Sequence, residues 1–256
     1  MTHFNLQGLR VLNTRPTHQA EELNLAITRA KGVALSCPAL IIKPIALNNL
    51  PHFTQVTLAI FTSANAVNHG ISAFAQQKIK WPSRVHVIAV GNGTARALEQ
   101  QGIRVDSIPS IADSEHLLML DSLQDVQHKT ILLFKGEGGR SLITTTLKER
   151  GAQLIVLDVY QRIMPAINRE QLDTWWRDRA VDIILITSEQ AMQNIFTLFG
   201  EQAHAWLKRT PCLVISKRLA EAAFRAGMQK IIICSTETII DALHQFNKGL
   251  THGKEE

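Results

Sequence analysis

Short apolar runs recur along this chain, separated by longer stretches of mixed polarity. The runs at Leu58–Phe61, Val85–Val90, Arg104–Ser107 and Ile131–Phe134 predict strands. The stretches between and after them, Ala64–Gln77, Gly93–Gln101, Ser114–Ser122 and Gly139–Arg150, predict helices. The same rhythm opens the chain with a strand at Leu9–Asn13 and a helix that has Pro16 in its first turn and ends at Lys31-Gly32. It resumes after Pro165 with a helix at Arg169–Arg177. Strands follow at Ile183–Ile186, Leu213–Ile215 and Lys230–Cys234, each with a helix behind it. Apolar strands alternating with helices indicate a parallel sheet covered on both faces.

Two stretches break the rhythm. In Val33–Leu47, Pro38 and Pro44 bracket Ala39-Leu40-Ile41-Ile42, which is too interrupted for a central strand or a helix, and Gln153–Ile163 is a long extended run that stops before Met164-Pro165. The chain also repeats itself. Phe61-Thr62-Ser63-Ala64-Asn65-Ala66-Val67 is echoed 125 positions later by Ile186-Thr187-Ser188-Glu189-Gln190-Ala191-Met192, and Gly102 and Ser110 find Gly227 and Ser235 at the same offset. A third echo links the strand and helix around Arg15 to those around Lys135, so the second copy begins in mid-repeat. The expected fold is therefore two similar parallel-sheet α/β domains. Residues 1–36 and 165–256 form a discontinuous first domain, 49–153 the second, and 37–48 with 154–164 a two-stranded β-ladder joining them. A ligand cleft between the two is expected.

Composition adds little beyond class. With 256 residues, 45% hydrophobic and 19% charged, the chain is long enough for two globular cores. The net charge of +5 favours an anionic partner, while 5% aromatic residues argue against a base-stacking nucleic-acid surface. Cys37, Cys212 and Cys234 sit in or near apolar runs and read as small core residues. The ten histidines are scattered without metal-ligand spacing. The first residues carry no basic and apolar targeting pattern and no run is long enough to span a bilayer, which predicts a cytoplasmic protein. The tail 249–256 is expected to be disordered.

Ligands of open parallel sheets bind beyond the carboxyl ends of the strands. The loops expected there share one character: Thr14-Arg15-Pro16, Thr62-Ser63-Ala64-Asn65, Gly91-Asn92-Gly93-Thr94, Lys135-Gly136-Glu137-Gly138-Gly139-Arg140, Thr187-Ser188 and Ser216-Lys217-Arg218. Small hydroxyl residues, glycines and helix N-termini suit anionic groups, although serine and threonine there are equally ordinary helix caps. A dinucleotide fingerprint, a phosphate P-loop and a nucleophile elbow are all absent. Tyr160, the only tyrosine, is read either as a half-buried aromatic pinning the ladder or as a phenol facing a ligand.

These motifs, with Ala89-Val90-Gly91-x-x-Thr94-Ala95, Tyr160-Gln161-Arg162 and Ile215-Ser216-x-Arg218-x-Ala220, occur in the order seen in uroporphyrinogen-III synthases. The chain resembles that family from about Leu9 to about Leu243. The resemblance implies a flavodoxin-like fold duplicated into two domains, and cyclisation of hydroxymethylbilane with loss of water and inversion of the terminal pyrrole ring. It implies no metal or organic cofactor, and a cytoplasmic monomer in transient contact with the preceding pathway enzyme, binding neither nucleic acid nor membrane. Tyr160 is carried over as the group assisting departure of the hydroxyl. Thr14, Arg15, Ser63, Asn65, Gly91, Thr94, Lys135, Gly136, Arg140, Thr187, Ser188, Ser216 and Arg218 are carried over as substrate-binding residues. The rival readings are a non-catalytic two-lobed binder of an anionic small molecule and a transferase using a nucleotide sugar.

Overall fold

The computed structural model describes residues 4–48 and 50–252. The elements run β1 (Arg10–Asn13), α1 (Thr17–Arg29), β2 (Val33–Ser36), β3 (Ile41–Pro44), β4 (Val56–Phe61), α2 (Ala64–Gln76), β5 (His86–Ala89), α3 (Asn92–Gln100), α4 (Ser114–Leu117), β6 (Thr130–Gly136), α5 (Leu142–Glu149) and β7 (Gln153–Ile163). They continue with α6 (Arg169–Arg177), β8 (Ile183–Ile186), α7 (Glu189–Phe199), α8 (His204–Arg209), β9 (Cys212–Val214), α9 (Lys217–Arg225), β10 (Ile231–Ile233) and α10 (Ile239–His252). Among the described residues, the chain up to Ile41 and from Ile163 onward forms one compact unit, and Ile42–Arg162 forms the other.

The first unit holds a five-stranded sheet in the order β10-β9-β8-β1-β2. All four of its pairings are parallel. Counted along the chain this is the 2-1-3-4-5 order of flavodoxin-like sheets. β8 shows why it is central: all four of its residues are buried, Ile183 and Leu185 on one face and Ile184 and Ile186 on the other. On one face Leu23 and Ile27 of α1 meet Ile239 and Leu243 of α10. On the other, Leu172 and Trp175 of α6, Ile195 of α7 and Leu219 of α9 close the core. Cys37 and Cys212 lie in this second core, where burial pushes their thiols up to about 12 and about 11, so they act as small apolar side chains.

The second unit has a sheet in the order β3-β7-β6-β4-β5. Consecutive strand residues again feed two cores. Ala59, Phe61, Leu132 and Phe134 pack under α2 and α3, and Leu58, Ile60, Ile131 and Leu133 under α4 and α5. The duplication extends to register. Ala59 faces Val87 in one sheet as Ile184 faces Cys212 in the other, each 125 positions on. Leu132 faces Ile155 as Leu12 faces Leu35, each 120 positions apart. The second copy does begin in mid-repeat.

Four expectations change on folding. Arg104–Ser107 forms no strand; it is reduced to one parallel bridge, Ile88 with Ser107, in the place that Leu213 with Ile232 occupies in the other sheet. The cause is Asp106, whose carboxylate accepts the Val87 N–H at 2.9 Å and so takes a donor the ladder would use. The helix expected at Ser114–Ser122 is one short turn, α4, followed by a 3₁₀ turn at Asp121–Leu123. α5 begins at Leu142 rather than Gly139, because Gly138 and Gly139 take φ values of 71° and 80°, outside the helical region. Residues 249–252, expected to be disordered, continue α10, which is held by Ile239, Leu243 and Phe246; 253–256 lie outside the described residues.

The two extended stretches also take a fuller form. Val33–Leu47 divides into β2 in one sheet and β3 in the other. β7 pairs with β3 and also runs parallel to β6 from Gln153 to Tyr160. Residues 154–164 therefore belong largely to the sheet of the second unit, where Leu157, Val159 and Tyr160 enter its core.

Candidate active site

The site is built at the carboxyl ends of β4, β6 and β7. β4 ends at Phe61, and Thr62 then anchors the turn, its N–H and Oγ1 both donating to the Phe134 carbonyl at 3.1 and 3.2 Å. Ser63 follows in extended conformation and caps α2, its Oγ accepting the Ala66 N–H at 3.1 Å. Between Lys135 and Gly136 the β6–β7 register shifts by one residue, so that Tyr160 lies opposite Gly136. A Cβ on Gly136 would stand 2.6 Å from Tyr160 Cζ and 2.9 Å from its hydroxyl oxygen. Glycine is needed there for close approach.

Tyr160 is 1% exposed, deeper than a half-buried ladder residue. Its phenolic oxygen accepts from Arg162 Nη2 at 2.8 Å and lies 3.2 Å from Ser63 Oγ. The Arg162 guanidinium carbon is 5.1 Å from the centre of the phenol ring. Lys135 Nζ donates to Asp158 Oδ1 at 3.0 Å and to the Gly138 carbonyl at 2.7 Å. Ser63, Lys135, Gly138, Tyr160 and Arg162 line a pocket of about 310 Å³ that also includes Arg140, Thr144 and Asp113. Arg140 pairs with Glu115 at 2.8 Å. Asp113 caps α4, and the hydrogen bond from the His116 N–H, aided by the His116 ring, holds its carboxyl below the usual range. The lining carries Lys135, Arg140 and Arg162 against one carboxylate, and Asp158 and Glu115, outside it, are the carboxylates that pair with the first two. Such a pocket can hold carboxylates beside a phenol able to give a proton.

Of the residues singled out in the sequence, Ser63, Lys135, Gly136, Arg140 and Tyr160 meet in this pocket. Asn65, Gly91 and Thr94 are not among its lining residues. Thr94 is buried at 5% exposure, and Gly91 is a close approach, where a Cβ would stand 2.8 Å from Ala112 Cβ. The other candidates lie in the first unit. Thr14 is buried and donates through Oγ1 to the Leu185 carbonyl at 2.6 Å. Arg15 lines a separate pocket of about 430 Å³ with Gln19, Glu22 and Thr236. Burial lowers its pKa, offset by Glu22, and its Nε has no hydrogen-bond partner. Thr187 is half-buried and Arg218 exposed. Ser188 and Ser216 cap α7 and α9, accepting the Ala191 and Leu219 N–H groups at 3.1 and 3.2 Å. Ser216→Ala is therefore expected to destabilise the protein by about 1 kcal/mol, read from urea denaturation.

Arg162, which enters the sequence motifs above only as the last residue of Tyr160-Gln161-Arg162, also lines this pocket. Strand alternation could have found it, since residues two apart share a face and Tyr160 was already a candidate. Among the described residues no group of three or more His, Cys, Asp or Glu is placed to hold a metal ion, and no helix is long and apolar enough to cross a membrane.

The family described as uroporphyrinogen-III synthase HemD matches residues 21–244. The chain is 31% identical over 230 residues to the uroporphyrinogen-III synthase of Escherichia coli (strain K12), covering 87% of this chain and 94% of that one. It is 30% identical, over the same shares, to that of Salmonella typhimurium. Two solved structures share the fold. A mutant uroporphyrinogen III synthase from the extremely thermophilic bacterium Thermus thermophilus has a TM-score of 0.66 at 17% identity, over 96% of this chain and 100% of that one. The uroporphyrinogen-III synthetase of Helicobacter pylori has a TM-score of 0.60 at 16% identity, over 94% and 99%. The family match spans the loops that carry Ser63, Lys135 and Gly136 as well as Tyr160 and Arg162, and the chain belongs to the uroporphyrinogen-III synthase family.

Proposed function

We propose that this chain is a uroporphyrinogen-III synthase, converting linear hydroxymethylbilane to uroporphyrinogen III with loss of water and inversion of the last pyrrole ring. Membership of the family carries this reading. The substrate's many carboxylates suit a chain of net charge +5 and a pocket with Lys135, Arg140 and Arg162 in its wall.

The reaction asks for two things. The hydroxyl must leave as water, which the pyrrole nitrogen drives by forming an azafulvene. Attack must then fall on the substituted carbon of the terminal ring, through a spiro intermediate. Orientation of a folded chain can achieve the second without a strong acid or base. For the first, Tyr160 is the proton donor in this reading, with Ser63 fixing its hydroxyl and Lys135 and Arg140 receiving carboxylates. Thr14, Arg15, Thr187, Ser188, Ser216 and Arg218, with Asn65, Gly91 and Thr94, are carried over by the same resemblance as further substrate contacts, largely through backbone N–H groups. The protein is further proposed to act in the cytoplasm as a monomer, in passing contact with the enzyme that supplies its substrate.

The test generates hydroxymethylbilane in situ, adds the protein, oxidises the product and separates the uroporphyrin isomers. Isomer III is expected as the dominant product, dependent on the protein. Isomer I alone, from folded protein, would overturn the reading in favour of an anion-binding protein. Tyr160→Phe, which keeps the ring, is expected to lower kcat about 100-fold with KM little changed; full turnover would remove Tyr160 from the reaction.

A further inference from the structure

We propose that Arg162 is a positioning residue that directs the Tyr160 proton and holds the phenolate formed when that proton leaves. The proposal rests on the synthase reading and deepens it. A guanidinium has donors and no acceptor, so in the 2.8 Å contact the phenolic oxygen can only accept. The phenol's own proton is thereby turned away from Arg162 toward the other polar groups of the pocket. Ser63 Oγ lies within reach at 3.2 Å, and it is already fixed by the Ala66 N–H. The cation also lies 5.1 Å from the ring centre, so the contact to oxygen and the contact to the ring hold the same side chain in place.

During the reaction the Tyr160 O–H bond and the C–O bond of the substrate's hydroxymethyl group break, and hydroxyl and proton leave together as water. The electron pair of the pyrrole nitrogen compensates the exocyclic carbon, giving an azafulvenium cation and a Tyr160 phenolate. The guanidinium, already at hydrogen-bond distance, then faces a full negative charge, and a charge-assisted bond strengthens as that charge develops. Ring closure later releases one proton from a ring carbon, which restores the phenol. An interaction that strengthens only as the reaction proceeds raises kcat and leaves KM nearly alone.

The experiment compares wild type, Arg162→Met, Arg162→Lys, Tyr160→Phe and the Tyr160→Phe/Arg162→Met double variant, each checked for folding by near-UV circular dichroism. Arg162→Met is expected to lower kcat about 10- to 100-fold with KM within about threefold. Arg162→Lys should recover part of that loss, and Arg162→Met in the Tyr160→Phe background should cost nothing more. Because Tyr160 is the only tyrosine in the chain, the tyrosine Fermi doublet in the Raman spectrum reports this phenol alone. Its intensity ratio should fall in Arg162→Met as the oxygen loses its cationic donor. An Arg162→Met effect confined to KM, a full additional loss in the double variant, or an unchanged doublet would each overturn the proposal and leave the synthase reading standing. Wild-type protein that makes no isomer III would overturn both.

Discussion

Gly136→Ala is expected to lower turnover by about 100-fold or more while the protein still folds and unfolds cooperatively. The added methyl group would sit 2.6 to 2.9 Å from three atoms of Tyr160, Cζ, Cε2 and the hydroxyl oxygen. Real Cβ atoms do not approach so closely, so the ring or the β6–β7 backbone must move. The ring is buried in the core of the second unit. Any shift is therefore passed to its polar end, where the contacts to Ser63 and Arg162 are 3.2 and 2.8 Å. Misplacement by about 1 Å at a reacting group is enough for a loss on the order of 100-fold. The isomer assay and the tyrosine Raman doublet together check it. Gly249→Ala serves as the control: nothing lies within 4 Å of a Cβ there, and alanine in α10 should stabilise the protein slightly, by up to about 1 kcal/mol.

The second large effect is on stability. Phe134→Ala should destabilise the protein by about 3–5 kcal/mol, measured by urea denaturation. Phe134 is fully buried and stacks on Phe61 with ring centres 4.3 Å apart and planes 6° from parallel. Phe74 and Trp81 surround the same ring at 5.9 and 6.0 Å. Gly70 of α2 admits it by having no side chain, since a Cβ there would be 2.6 Å from the ring. Emptying this site would remove roughly a fifth or more of the stability typical of a whole domain. Activity should fall with it, because Phe134 precedes Lys135 and Gly136 on β6 and its carbonyl anchors Thr62 next to Ser63. An ordinary melting curve for Phe134→Ala would mean that the aromatic cluster adds little to the second core.

The strands and the duplication were legible because both are local or periodic. An apolar run with Gly, Pro or a hydroxyl at its end marks β4, β6 and β8, and an offset of 125 positions reappears as equal register in two sheets. The loss of a strand at Arg104–Ser107 was not legible, since this stretch holds the place of β10 in the repeat and the pairing of Asp106 with the Val87 N–H ends it. Gly138 and Gly139 read equally well as a helix start or as a left-handed turn until the chain's path is known. For the candidate site, Tyr160 could be chosen as the single tyrosine and Gly136 from its motif. Their contact depends on a one-residue register shift between β6 and β7, which periodicity does not encode. The proximity of Ser63 to Tyr160, 97 positions away, is likewise a product of sheet order. Arg15 was grouped with the other loops at strand ends, yet its side chain lines a pocket against α1 and the turn before α10, because the direction of a long side chain does not follow from its position in a loop.

β1 is the first strand of the chain and lies inside its sheet, flanked by β2 and β8. The Arg10 backbone N–H is held by Asp182, 172 positions later. During synthesis, β1, α1 and β2 therefore leave the ribosome with their core partners not yet made, and they wait while β3 to β7 supply a complete second unit. Bringing ends so distant together is the slow, entropically costly step of such a topology. The continuous unit can fold while the chain is still growing, and the N-terminal arm keeps apolar surface uncovered until β8 arrives.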